Sequence, residues 1–431
     1  MSDINVHVHH LTRVEGHGNI VLNATNGQIE KVQWQVPEAP RYFESFVRGR
    51  DWSQMAHITS RICGICSIGH TLASLKATEA AMGVRISDQT GLLRRLALHG
   101  ENLQSHILHV GYLVAPDLFG VGSVFPLIGT HPDAVLKIVG LHRMANEMSD
   151  LICGRTVHPI SMVPGGFTKL PKAKQLKALR KRLMEAIEPT QQVAGIVLAN
   201  AGKLPAFTRE TEYIALTSTQ EYALYDGDIG STITGRHPVN DYLDVTNEFV
   251  VPQSTAKYTK HAMDSYMVGA LARFNLNYDK LSPLGKDVAE MFGLKPINYN
   301  PFMNSVAQVV EFADSIFDSI RIIDELLDRG IKDETPDVEV RAGRGVGAVE
   351  VPRGILFHDY TIDHQGKCIK ANCIIPTNQN HNNIQHDMEA IAPTLLDLPE
   401  KQIELTLEML VRAYDPCISC STHYLDVAFK R

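Results

Sequence analysis

Hydrophobic and polar positions alternate with period two from Asn19 to Asn23, stop at Asn26-Gly27 and resume from Ile29 to Val36. That pattern predicts a β-hairpin. Asp51-Trp52-Ser53 reads as a helix start, and the stretch from Ile68 to Met82 predicts a helix closed by Gly83. A longer amphipathic run follows over 87–114, where Leu92, Leu96, Leu103, Ile107 and Val110 keep helical spacing up to Ala115-Pro116-Asp117. Further helices are predicted over 132–151, 172–201, 259–277, 303–329, 386–396 and 399–413, the last leading into the C-terminal cysteines. Residues 153–166 form a loop punctuated by Gly and Pro, and 205–257 read as short strands and loops. Over 341–376 the pattern turns to β, with Ile355–Thr361 predicted to pair with Lys367–Ile375 across Asp363-His364-Gln365-Gly366. The expected fold class is α+β, mainly α: a central bundle of long helices with small antiparallel sheets near the N-terminus and at about 341–376. No repeat, low-complexity tract or linker divides the chain, so 1–431 is expected to be a single domain.

Composition narrows the function classes. With 41 basic and 48 acidic residues the net charge is −7, which argues against a nucleic-acid or anionic-membrane surface. No apolar run reaches the roughly 18–20 residues of a membrane span. The start, MSDINVHVHH, lacks the basic-then-apolar pattern of a secretory leader. The seven cysteines include two CxxC pairs, Cys63/Cys66 and Cys417/Cys420. An odd count in a leaderless chain favours reduced metal ligands over disulfides. Cys66 precedes a helix N-terminus, where the dipole lowers a thiol pKa.

On residue types alone, two CxxC pairs fit structural zinc, an iron–sulfur cluster or a functional metal site. Small zinc modules keep their pairs within about 12–20 residues. A separation of about 350 residues ties the whole fold to the metal, which suits a buried functional site better.

Five motifs occur in order: Arg13-Val14-Glu15-Gly16-His17; Arg61-Ile62-Cys63-Gly64-Ile65-Cys66 with His70; Val351-Pro352-Arg353-Gly354; Pro376-Thr377; and Asp415-Pro416-Cys417-Ile418-Ser419-Cys420 with His423. Together they resemble the large, catalytic subunit of nickel–iron hydrogenases, most closely the cytoplasmic type that serves soluble acceptors. The resemblance covers essentially the whole chain. It implies reversible heterolytic cleavage of dihydrogen at a nickel–iron centre whose iron carries carbon monoxide and cyanide. Cys63, Cys66, Cys417 and Cys420 match the nickel thiolates, with Cys66 and Cys420 also bridging to iron. Glu15 matches the proton-transfer glutamate, and Arg353 the arginine above the metals, with Asp117 and Asp415 the carboxylates that hold it. Thr377 matches a hydroxyl donor to cyanide, Pro352 and Ile375 line the dry pocket, and His70 bonds a bridging thiolate.

The resemblance also implies a second site, in which Glu44, His423 and the Cys373 carbonyl hold magnesium or iron. No cysteines are left for clusters, so an iron–sulfur small subunit is the implied partner. Flavin- or nucleotide-binding subunits would carry electrons on to NAD(P), a deazaflavin, or ferredoxin and a heterodisulfide. A quinone-site subunit of complex I shares the fold but lacks the four cysteines. His99, His106 and His109 share one helical face and read as core residues rather than ligands. Cys153 and Cys368 read as packing residues. The glycines at 343–347 lack the Lys-Ser/Thr of a phosphate loop. Many relatives are cut after the histidine matched by His423; this chain is expected to keep residues 424–431.

Overall fold

The structure is a computed structural model describing residues 3–423; the tail expected to be retained, 424–431, lies outside the described residues. β1 (Ile4–Val8), β2 (Asn19–Thr25) and β3 (Gln28–Gln35) form one antiparallel sheet in that order. The predicted hairpin is β2–β3, turned by Asn26 and Gly27 with φ of 51° and 78°, the left-handed pair that matches strand twist. α1 (Phe43–Val47) and α2 (Met55–Thr59) lead to α3 (Ser67–Met82), closed by a left-handed Gly83 as expected.

α4 (Asp88–Leu108) is capped by the Ser87 hydroxyl, which accepts from the Thr90 amide. The helical path does not stop at Pro116. It widens into a π-helical turn over His109–Val114 and continues as α5 (Ala115–Leu118), whose first turn contains Pro116. A first-turn proline has no intrahelical bond to lose. α6 (Phe125–Thr130) and α7 (Pro132–Cys153) follow, then the miniature hairpin of β4 (Met162–Val163) and β5 (Gly166–Phe167). The helix expected over 172–201 is two, α8 (Ala173–Glu185) and α9 (Ile187–Asn200). Pro189 explains the break, because it cannot donate to the Glu185 carbonyl.

β6 (Glu212–Thr217), β7 (Asp228–Ser231) and β8 (Gly235–His237) precede the short α10 (Tyr242–Thr246) and β9 (Tyr266–Met267), which joins their sheet parallel to β6. Helix was expected from 259, but α11 covers only Ala270–Asn277. Gly269, with φ of 121°, separates it from an extended segment whose Thr259 and Ser265 bond to Gln379 and Asn383.

α12 (Pro283–Met291) and α13 (Asn304–Arg329) come next, then β10 (Gly343–Val351), β11 (Gly354–Ile362) and β12 (Cys368–Ile374) as an antiparallel sheet. α14 (Pro376–Ile391) starts ten residues before the expected helix; α15 (Glu400–Ala413) and the one-turn α16 (Ile418–Ser421) end the described chain. The early part of α14 is a polar string with no apolar stripe. Tertiary hydrogen bonds take its place: Gln379 Nε2 donates to the Ile355 carbonyl at 2.7 Å, and Asn380 Oδ1 accepts from Val268 N at 2.9 Å.

Two packings position the cysteines. Gly343, Gly345 and Gly347 lie at every second position of β10, against Ala73, Ala77 and Ala81, spaced every four on α3. A Cβ on Gly347 would meet the Ala73 carbonyl at 2.2 Å, so only a bare backbone brings this strand against the cysteine-bearing helix. The chain ends also meet: α15 packs on β1, and Glu15 forms a parallel bridge with Cys417. Helices dominate and the sheets are small, as the hydrophobic pattern predicted.

Candidate metal centre

The first cysteine pair sits where a tight turn meets a helix. Cys63 is extended after the 3₁₀ turn Ser60–Ile62, and Cys66 occupies the N-cap of α3. The Cys66 amide donates to Cys63 Sγ at 3.1 Å, folding the CxxC loop around its own sulfur. The second pair spans α16: Cys417 is its N-cap, and Cys420 lies within its turn. Arg41 ties the two segments together, donating through Nη2 to the Ile62 carbonyl at 2.7 Å and through Nε to the Ser419 carbonyl at 2.9 Å.

The pairs meet. Cys63 Sγ lies 3.6 Å from Cys417 Sγ, and the sulfurs of Cys63, Cys417 and Cys420 are all within 4.8 Å of one another, buried. Cys66, also buried, stands beside this group and bonds Arg353. The structure pairs Cys417 and Cys420, on a single turn with their Cα atoms 5.5 Å apart, as a disulfide. Holding a metal with four thiolates requires that bond reduced. The Cys63 and Cys66 thiols are hydrogen-bonded to each other in full burial beside Arg353, so one of the two is favoured as the anion at the expense of the other.

Arg353 occupies the turn between β10 and β11. Its Nη1 donates to Cys66 Sγ at 3.3 Å and its Nη2 to Asp415 Oδ1 at 3.0 Å, while Nε takes the Asp415 carbonyl. Asp415 adopts φ of 50°, an uncommon conformation for a non-glycine residue, anchored by this two-point grip. Asp117 was expected beside Arg353 and is elsewhere: its oxygens hold Arg13 at 2.6 Å and Arg412 at 2.8 and 3.0 Å. Two arginines saturate that carboxylate, which braces the N-terminal loop on α15.

Glu15 Oε2 is 3.2 Å from Cys417 Sγ and accepts from Ser419 N at 3.1 Å; Glu15 Oε1 accepts from the Ser419 hydroxyl. Thr377 Oγ1 accepts from Cys417 N at 3.0 Å, which leaves its own proton for another acceptor. Pro352 and Ile375 are buried nearby, the former accepting from Arg273 through its carbonyl at 2.9 Å. His70 Nδ1 pairs with His358 Nε2 at 3.1 Å, so any approach to the Cys66 sulfur falls to Nε2.

Glu44 and His423 come together, with Oε1 to Nδ1 at 2.8 Å, beside a small cavity of roughly 10 Å³ lined also by Cys373, Ile375 and Cys420. Glu44 Oε2 is buried without a partner. Burial alone would lower the His423 pKa; Glu248, 3.3 Å from Nε2, and Glu44 outweigh it and hold it up to about 9.

Sequence reasoning missed Glu248, which lies in an aperiodic stretch with no motif. It missed Arg41 although that residue adjoins Glu44. It also missed Glu101, whose carboxylate accepts from the Ile68 and Gly69 amides at the start of α3. His99, His106 and His109 pair with Asp318, Glu311 and Gln308, as core residues do.

Four buried sulfurs drawn from both chain ends, with a donor-only guanidinium over one and a carboxylate against another, form a donor set suited to a soft, redox-active metal. Comparison with known proteins agrees. The family model described as nickel-dependent hydrogenase matches residues 41–126 and 241–423. Sulfhydrogenase 2 subunit alpha of Pyrococcus furiosus is 32% identical, with 96% of this chain and 98% of that one covered. The NAD-reducing hydrogenase HoxS subunit beta of Cupriavidus necator is 29% identical, with 96% and 94% covered. A crystal structure of an NAD⁺-reducing nickel–iron hydrogenase in the H2-reduced state superposes with a TM-score of 0.89 at 27% identity, covering 97% of this chain and 99% of that one.

Proposed function

The chain belongs to the nickel-dependent hydrogenase family, and on that footing we propose that Cys63, Cys66, Cys417 and Cys420 hold its nickel, with Cys66 and Cys420 shared with an iron. The protein is a catalytic large subunit acting on dihydrogen. The convergence of the buried Cys63, Cys417 and Cys420 sulfurs, from positions more than 350 apart and with buried Cys66 beside them, is the observation that carries the assignment. When bound, the nickel–iron centre supplies a sulfur-ligated metal pair at which dihydrogen is split heterolytically.

The chain's own residues do the rest. Glu15, against Cys417 and steadied by Ser419, accepts the proton released on that side and passes it outward. Arg353 stays charged, since its partners Asp415 and Cys66 favour the guanidinium form and its intrinsic pKa exceeds about 12. It and the Thr377 hydroxyl are the donors proposed for iron-bound cyanide, while Pro352 and Ile375 keep water from the diatomic ligands. Asp415 fixes the guanidinium. His70, held by His358 through Nδ1, is proposed to bond the Cys66 thiolate through Nε2. Glu44, His423 and the Cys373 carbonyl are proposed to hold magnesium or iron; the buried, unpaired Glu44 oxygen and the adjoining cavity support that reading.

Named relatives are subunits of larger enzymes, so electrons are proposed to leave through an iron–sulfur small subunit. Kinship with an NAD-reducing hydrogenase supports flavin- or nucleotide-binding subunits beyond it and a cytoplasmic location. No described helix is long and apolar enough to cross a membrane. The chain is read as a single domain, since both ends build one site. Dihydrogen-dependent reduction of a viologen dye by the purified complex tests the activity; its absence from complex that carries nickel would refute it.

A further inference from the structure

α14 carries Thr377, His381 and Gln385 at every fourth position, and so on one face, where it packs against α16 and β3. Thr377 grips the N-cap of α16, accepting from Cys417 N at 3.0 Å. Two turns along, Gln385 grips β3, accepting from Trp34 N at 2.7 Å and donating to the Val32 carbonyl at 2.9 Å. His381 stands between them and has no place in the assigned site. It is fully buried, as are its partners Trp34 and Ser421.

The hydrogen bonds of these three residues have a fixed direction. The indole Nε1 of Trp34 can only donate, and it lies 3.0 Å from His381 Nδ1. Nδ1 is therefore the acceptor, and the ring proton sits on Nε2. Nε2 lies 2.8 Å from Ser421 Oγ and donates to it. The Ser421 hydroxyl keeps its own proton for the Ile418 carbonyl, at 2.6 Å. That carbonyl belongs to the turn between Cys417 and Cys420, and Ser421 ends the turn directly after Cys420. A protonated ring would set a second N–H against the indole N–H. Burial also holds the His381 pKa down to about 3, so the ring stays neutral.

We propose that His381 is a positioning residue for the metal centre: with its tautomer set by Trp34, it pins Ser421 and so fixes the Cys420 end of the α16 turn, while Thr377 fixes the Cys417 end. The inference rests on the hydrogenase reading. A preorganised metal site holds its ligands to within about 0.5 Å. A one-turn helix has too few backbone bonds to hold its own ends that closely. α14 supplies the stiffness, because both grips stand on one face of one long helix. His381 acts on the centre through Ser421.

The test uses the purified complex with His381→Leu, His381→Gln, Ser421→Ala and the double variant His381→Leu/Ser421→Ala. Gln reproduces the Nε2 donor and Leu does not. The readouts are nickel per large subunit and the infrared bands of metal-bound carbon monoxide and cyanide, neither of which depends on turnover. In His381→Leu and in Ser421→Ala, nickel is expected to fall at least twofold, with shifted or broadened bands in the loaded fraction. The double variant is expected to be no worse than either single one, since both remove the same bond. His381→Gln is expected to restore wild-type nickel and bands. A lower thermal midpoint in His381→Leu with wild-type nickel and bands overturns the proposal and leaves His381 a packing residue. Failure of His381→Gln to restore them, or a double variant worse than both singles, also overturns it. If His381→Leu does not fold, wild-type nickel and bands in Ser421→Ala overturn it. Wild-type complex with neither nickel nor such bands overturns the hydrogenase reading itself.

Discussion

Glu15 and Cys417, 402 positions apart in sequence, share a parallel β-bridge and bring carboxylate Oε2 to 3.2 Å from Sγ. The backbone bridge sets the side-chain meeting: Ile418 N donates to the Glu15 carbonyl at 2.9 Å, and Glu15 N to the Pro416 carbonyl. Gly16 allows the approach, since a Cβ there would lie 2.7 Å from Ser419 N.

Glu15→Gln preserves that backbone frame and removes only the titratable oxygen. Nickel content is expected to match wild type while D2/H2O exchange falls about 10²-fold or more, the usual weight of a positioned proton carrier. Wild-type exchange in a nickel-replete variant would remove Glu15 from the mechanism.

Cys420→Ala takes away a sulfur from the group that includes Cys63 and Cys417. Metal and dihydrogen uptake are expected to be lost together, with the thermal transition of the remaining fold detectable by calorimetry. Retention of stoichiometric nickel would contradict its assignment as a ligand.

Gly347→Ala pushes a methyl into the backbone of α3, at 2.2 Å from the Ala73 carbonyl and 2.6 Å from Ala77 N. Neither backbone atom can move without moving the helix that Cys66 caps. A destabilisation of about 2–4 kcal/mol is expected, read as a lower denaturation midpoint, with reduced nickel loading. An unchanged midpoint would mean that β10 and α3 do not pack this closely.

Glu101 carries a pH prediction. Its carboxyl is wholly buried, and that burial pushes it up to about 8 despite the Ile68 and Gly69 amides. The unfolded chain releases the same proton near about 4.3. Between those values the folded state holds a proton that the unfolded state lacks, so stability falls as pH rises, by up to about 1.4 kcal/mol per pH unit. Glu101→Gln is expected to flatten that part of the stability–pH curve, as followed by denaturant titration from pH 5 to 8. An equal slope in both proteins would show that Glu101 is ionised throughout.

Much of this was legible in the sequence where a local signal existed. The hairpin announced itself through Asn26-Gly27, α3 through its alanines and Gly83, and the centre through paired cysteines in specific contexts. Legibility failed where tertiary contacts replace local pattern. The start of α14 is held by side-chain bonds to Ile355 and Val268 rather than by an apolar stripe. Pro116 read as a terminus because a π-helical turn leaves no mark in hydropathy. Asp117 was placed beside Arg353 by the family resemblance, whereas the fold gives it to Arg13 and Arg412. Glu248 reaches His423 from a segment with no periodicity at all.

The central claim, that the four cysteines hold nickel beside an iron, is tested most directly by metal analysis of the purified complex combined with its infrared spectrum. The account predicts one nickel per large subunit, lost in Cys420→Ala, with absorption from metal-bound carbon monoxide and cyanide in the wild-type protein. Zinc in place of nickel, with no such bands, would contradict it.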